Sequence, residues 1–214
     1  LVSAWVFERL GMWFGAAWPQ PLFLLSNQLF LVAIVAMLLW TLLRHRDTDG
    51  YRKDNIFFLL LLPLFPVSKA LLLDGPWGQA GQLMALGLFR LAFLIMLERT
   101  LTDFMKGVFK AEILRHPLLD GAIKAIALAL AFAGFLPPLA TAGLAALLAL
   151  LLLARFAYWQ PRLAFTRLDI GVMHLGYLAI VGQLLVLAFE QAAHSVWVGS
   201  VSIHLFTFGV MGLI

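Results

Sequence analysis

Cysteine is absent from all 214 residues, and that one absence removes disulfides, thiolate metal ligands, iron–sulfur clusters and cysteine nucleophiles together. Charge is scarce as well. Asp, Glu, Lys and Arg make up 12% of the chain, about half the share usual in a soluble domain. Apolar residues fill the space at 63%, and mean hydropathy is +0.97. A chain so poor in charge cannot clothe a water-facing surface. It reads as an all-α, polytopic transmembrane helix bundle, its core divided among helices lying side by side in lipid. An initiating Met is also missing. The chain opens on Leu1 and stops inside an apolar run at Ile214, so it is expected to be one transmembrane domain taken from a longer protein, and no signal-peptide pattern is expected at Leu1.

Crossing the hydrocarbon core as a helix takes roughly 20 apolar residues, because every backbone amide must be satisfied without water. Runs of that kind lie at 1–17, 21–43, 55–74, 78–98, 118–136, 139–159, 169–190 and 197–214, about eight segments. Three breaks between them, "AAWPQP", "DGPWG" and "FLPP", carry Pro and Gly. Three others are basic. Arg44, Arg46, Arg52 and Lys53 fill 44–54; Arg99, Lys106, Lys110 and Arg115 fall in 99–117; Arg155, Arg162 and Arg167 fall in 155–168. The alternate loops 18–20, 74–77, 135–138 and 191–196 hold no Lys or Arg. The positive-inside rule therefore puts the basic loops in the cytoplasm of an inner-membrane protein. The net charge of +4 is an orientation signal and not a nucleic-acid footprint. Trp18, Trp77 and Trp197 at one boundary, and Trp40, Tyr158 and Trp159 at the other, fit interfacial aromatic belts. Residues 98–116 read as a solvated amphipathic linker on the cytoplasmic surface, and no internal repeat is evident.

Ionisable groups at bilayer depth are rare, and they are paired or functional. Glu8, Arg9, Lys69, Arg90, His174 and His204 qualify. Lys69 lies shortly before Asp74 and can snorkel toward the outer interface. Arg90 has no acidic neighbour a helical turn away, so it needs a partner from another helix or an anionic ligand. In a cysteine-free membrane protein, histidine is the natural ligand for copper or haem iron. His174 lies about 7–9 Å in from the cytoplasmic start of its helix and His204 about 10–15 Å from the opposite face. Their depths fall within about 6–13 Å of each other, so one cofactor or two adjacent ones can use both. Neutral histidines bonding helix to helix leave the same signature. His194 falls in an outer loop and reads as solvated; His45 and His116 lie in basic loops and carry no signal.

"DIGVMHLGYLAIVGQLLVLAF" (169–189) followed by "SIHLFTFGVMGLI" resembles the C-terminal part of the NnrS family. These are bacterial polytopic inner-membrane proteins described as containing haem and copper and linked to nitric-oxide metabolism and denitrification. The family pattern has a His-Leu-Gly-Tyr helix, here His174, Leu175, Gly176 and Tyr177. A His-x-Leu/Phe-Thr-x-Gly helix follows, here His204, Thr207, Gly209, Met211 and Gly212. "AWVFERLG" is similar to a Trp-x-x-Gly-Arg segment, keeping Trp5 and Arg9 with Glu8 where Gly is usual. "MLERTLTDF" is similar to a Gly-Arg-x-x-Pro-x-Phe segment, keeping Arg99 and Phe104, with Glu98 for Gly and Thr102 for Pro. The resemblance spans essentially the whole chain, densest in 169–214, and its two Gly-to-Glu departures suggest a divergent branch. It implies a parent of roughly twelve helices by analogy, with a Trp-His-x-His-Glu-type segment before Leu1 and a Gly-His-rich one after Ile214.

What the resemblance implies for the site is a haem and copper protein engaging nitric oxide or nitrosylated metal complexes. His174 and His204 would be metal ligands, Arg9, Arg90 and Arg99 would balance haem propionates, and Tyr177 and Thr207 would be supporting hydrogen-bond donors. No acid–base or nucleophile constellation marks a catalytic centre. The competing reading is a cofactor-free transporter or channel in which Glu8, Arg9, Lys69 and Arg90 line a polar path. Against it, paired Gly/Pro-broken half-helices are missing; Pro63 and Pro66 supply the one strong kink signal. A structural or assembly subunit is a third reading.

Overall fold

Apolar runs in lipid must close their backbone hydrogen bonds on themselves, and helices do so. The computed structural model of the chain is built of α1 (Val2–Phe14), α2 (Gln20–Arg44), α3 (Arg52–Leu73), α4 (Gly78–Phe109), α5 (Pro117–Ala131), α6 (Pro138–Tyr158), a single turn α7 (Pro161–Ala164), α8 (Leu168–Ala193) and α9 (Val201–Gly209). It describes residues 1–46, 52–111, 113, 116–193 and 201–213, with the backbone alone at 52–54, and no strand occurs among them. Short 3-10 turns at Gly15–Ala17, Gly75–Trp77 and Ala133–Phe135 occupy the Pro- and Gly-containing breaks. Pro21, Pro117 and Pro138 sit in the first turns of α2, α5 and α6, where the missing N–H has no intrahelical partner to lose.

Helices overlap each of the eight expected segments, but among the described residues five have the length and apolarity to cross a membrane: α2, α3 from Asn55, α4 with its leading turn, α6 and α8. α1, α5 and α9 are 13, 15 and 9 residues long. At 1.5 Å per residue the longest reaches about 22 Å, short of a hydrocarbon core of about 30 Å. The separate surface linker expected at 98–116 does not form. α4 runs unbroken through Glu98 and Arg99 to Phe109, about 48 Å of helix, and stops where Lys110 turns to a left-handed φ of 53°. The residues assigned to the aromatic belts differ in exposure. Trp40, Trp77 and Tyr158 are exposed, whereas Trp159 is buried at 2%. Trp197, His194, Arg115 and much of the 44–54 loop lie outside the described residues.

The helices cluster into two units, Leu1–Ala85 and Leu86–Ile214. In the first, α1 packs on α2 and α2 on α3. Gly11 and Gly15, four residues apart, let α1 lie close on α2: an added Cβ would run into the Ser26 side chain at one and the Phe23 ring at the other. Membrane helices associate through such close approaches, because lipid gives apolar side chains no incentive to leave it.

The second unit is built around α8, which packs against α6 on one side and α9 on another, with α5 on α6. Thr141, Ala145, Leu148, Leu152 and Arg155 form the buried stripe of α6, and Ile170, His174, Tyr177, Val181 and Leu184 that of α8. Both follow the three-and-four spacing of one helix face. α4 approaches α5 so closely that a Cβ on Gly87 would lie 2.5 Å from the Ala131 Cα.

Candidate functional site

Three helices bring charge together inside the second unit. Glu98 (α4), Asp120 and Lys124 (α5) and Arg155 (α6) are all buried, from 2% to 9% exposed. The Glu98 carboxylate takes Lys124 Nζ and Arg155 Nη1, each at 3.2 Å, and the same Nη1 reaches Asp120 Oδ1 at 3.2 Å. Asp120 and Lys124 stand one helical turn apart, which turns both toward Glu98 and Arg155. Arg155 also donates from Nε to the Tyr177 hydroxyl at 3.3 Å, and its guanidinium lies 4.7 Å over the Trp159 ring. Tyr177 in turn donates its proton to the Leu152 carbonyl at 3.0 Å. Two carboxylates against two cations make the cluster neutral. None of this was legible as a site. Arg155 counts as a loop charge in the sequence and is an interior one in the structure, because α6 continues to Tyr158.

One turn from Tyr177 lies His174, fully buried. Its ring is walled by Phe156, Trp159 and Phe165, with centroids 5.8, 6.4 and 6.1 Å away. Nδ1 lies 3.1 Å from the Ile170 carbonyl, while buried Nε2 makes no hydrogen bond. The Trp159 backbone also lies beside the ring; with the proton on Nδ1, donated to the Ile170 carbonyl, the neutral ring has a lone pair on Nε2. That is the tautomer a metal ligand needs.

His204 has the opposite setting. Ser202, Phe206 and Val210 form the buried edge of the α9 segment, and His204 falls on the other side, exposed and stacked on Phe208 at 5.8 Å. Ser202 bonds Gln183 and Leu205 lies against Gly182, so His204 stands level with that part of α8. From Gly182 back to His174 is about 12 Å of helix axis. The structure therefore does not set the two imidazoles opposite each other on one metal ion. Among the described residues no three His, Cys, Asp or Glu side chains gather at metal-binding distance.

The remaining candidates are scattered. Arg9, in the first unit, is exposed and lies 5.5 Å over the Trp5 ring. Arg99 is half-buried near the far end of α4. The Thr207 hydroxyl bonds back to the Ile203 carbonyl at 3.0 Å, so it does not orient the His204 ring. Lys69 does not snorkel as its sequence position suggests: it meets Glu8 of α1 at 2.7 Å. Arg90 does find its partner on another helix, Nη1 donating to Gln183 Oε1 at 2.9 Å, and Gln183 Nε2 donates to Ser202 Oγ at 3.0 Å.

A family model described as NnrS protein matches residues 1–214. The chain belongs to the NnrS family. No curated protein and no solved structure matches it. Apolar helices of membrane-crossing length agree with a membrane protein of the NnrS type. Within this NnrS chain, His174 and Tyr177 of the "HLGY" motif share one buried face, whereas His204 and Thr207 of the second motif do not share a buried site.

Proposed function

We propose that this NnrS-family chain is a haem- and copper-associated inner-membrane protein that acts in nitric-oxide response or denitrification. His174 is its foremost metal ligand and His204 a separate, more accessible one. The observation that carries the reading is the buried His174 lone pair. An imidazole acceptor in an apolar cage has no water to bond, and leaving it unused costs about 1–3 kcal/mol. A metal ion satisfies it. A single imidazole donor would suit a haem iron better than a copper cage, which needs several converging ligands. Tyr177 and Arg155 hold the α6–α8 face on which His174 stands, and Arg9, Arg90 and Arg99 keep the propionate-balancing role that the family resemblance implies. A bound haem or copper would supply the affinity for nitric oxide. In this reading all eight segments are membrane-embedded, and loops 44–54, 99–117 and 155–168 face the cytoplasm.

The transporter reading loses support because two charges of its polar path, Glu8 and Lys69, are spent on each other. The test is the Soret absorbance and metal content of the detergent-purified protein. A Soret band is expected. His174→Ala should lose most of it, His204→Ala should lower copper or haem content separately, and His194→Ala should change neither. A protein without a Soret band or copper at any stage of purification refutes the proposal.

A further inference from the structure

Buried charge in this chain is matched in two places and unmatched in a third. Glu98 and Asp120 meet Lys124 and Arg155, and Glu8 meets Lys69. Arg90 is 3% exposed, and its one hydrogen bond goes to the neutral amide of Gln183. Nε is buried without an acceptor, and no carboxylate among the described residues pairs with the guanidinium. A guanidinium cannot shed its proton to escape burial. A lone cation at bilayer depth is costly, and such residues pair or hold ligands.

Gln183 cannot supply the missing charge. Its carbonyl accepts from Arg90 while its NH2 donates to Ser202, which fixes the amide's orientation and ties α4, α8 and α9 together. The bond to Gln183 occupies the Nη1 corner of the fork. The Nε edge is left unused, and that edge suits a planar two-oxygen anion taken in bidentate fashion.

We propose that Arg90 is the seat of a bound anion, a carboxylate or small planar oxyanion, held at bilayer depth between α4, α8 and α9. This does not rest on the haem and copper reading, since an unmatched cation needs an anion in a transporter as much as in a redox protein. The anion has two sources: a carboxylate of a molecule that stays bound through purification, or a free ion from solution.

The experiment follows the tryptophan-fluorescence unfolding midpoint of the detergent-purified chain in sodium formate or nitrate, against sodium chloride at equal ionic strength. Wild type should gain about 3 °C or more in the planar oxyanions if the site exchanges with solution, and Arg90→Gln should abolish the gain. If the midpoint ignores the choice of salt, mass spectrometry of extracted small molecules should find a carboxylate-bearing compound other than haem in wild type that Arg90→Gln lacks. Gln183→Glu builds a counter-ion into the chain, so it should raise the midpoint in chloride and remove either dependence, and this holds even if Arg90→Gln fails to fold. No anion dependence together with no co-purifying carboxylate overturns the proposal. So does a Gln183→Glu midpoint at or below that of wild type.

Discussion

Removing two charges from the Glu98 cluster should cost less than the sum of removing each alone. Glu98 and Lys124 stand 3.2 Å apart with side chains 5% and 8% exposed. At an effective dielectric of about 20 their attraction is about 5 kcal/mol before desolvation is subtracted. Glu98→Gln leaves Lys124 and Arg155 facing Asp120 alone, a surplus cation; Lys124→Met leaves Glu98 and Asp120 facing Arg155, a surplus anion. Each single variant should lose about 3–5 kcal/mol, the usual cost of stranding a buried charge. The double variant retains the Arg155–Asp120 pair at 3.2 Å and is neutral again, so it should fall short of the summed losses by about 1–3 kcal/mol. Reversible unfolding of the four proteins in mixed micelles, followed by tryptophan fluorescence, measures the cycle. Additivity within about 0.5 kcal/mol would mean that the two groups do not feel each other, and the cluster would not be the electrostatic unit described.

Three further outcomes are expected. Gly87→Ala should destabilise by about 1–3 kcal/mol, because the new methyl meets the Ala131 backbone rather than a side chain that can swing away; Gly143→Ala, with open space around it, should be neutral or stabilising in the same unfolding assay. Tyr177→Phe should cost about 1–3 kcal/mol by stranding the Leu152 carbonyl and the Arg155 Nε–H, and an unchanged midpoint would show that the hydroxyl is not needed. Because the chain has no cysteine, a single Cys at Asp49 can be read directly by impermeant thiol labelling: inaccessibility from the periplasm is expected, and labelling from that side sinks the orientation.

Helix existence was legible from hydropathy; helix ends and faces were not. The stretch 98–116 looks like a linker because its composition turns polar after Glu98, yet α4 passes through it, since four-residue spacing sets Leu97, Leu101 and Met105 on one buried face. Extending the helix turns Glu98 from a boundary charge into an interior one. Arg155 changes character for the same reason. The two histidines show the limit most clearly. Each lies in an apolar run beside Gly and aromatic residues, and depth alone ranks His204 with His174. Which face of a short helix packs is a tertiary fact: Ser202, Phe206 and Val210 turn inward on α9, so His204 turns out. On α8 the buried stripe includes position 174, so His174 turns in.

The two positions where the resemblance leads one to expect glycine and this chain has glutamate have a common physical outcome. Glu8 and Glu98 are both buried, and each is met by a cation from another helix: Lys69 in the first unit, Lys124 and Arg155 in the second. A lone carboxylate at either position would be strongly destabilising in a low-dielectric interior, so the substitution is tolerable only with its partner. These pairs are therefore locks between helices, and their charge is consumed in holding the fold. Setting them aside narrows the search for chemistry. Besides atoms of Glu8, Arg99 and Arg155, the candidates with a buried polar atom that makes no hydrogen bond among the described residues are His174, at Nε2, and Arg90, at Nε. One is a lone pair suited to a metal and the other a cation suited to an oxyanion. They reside on α8 and α4, whose other polar contacts are already made, so a ligand can engage either without breaking the locks.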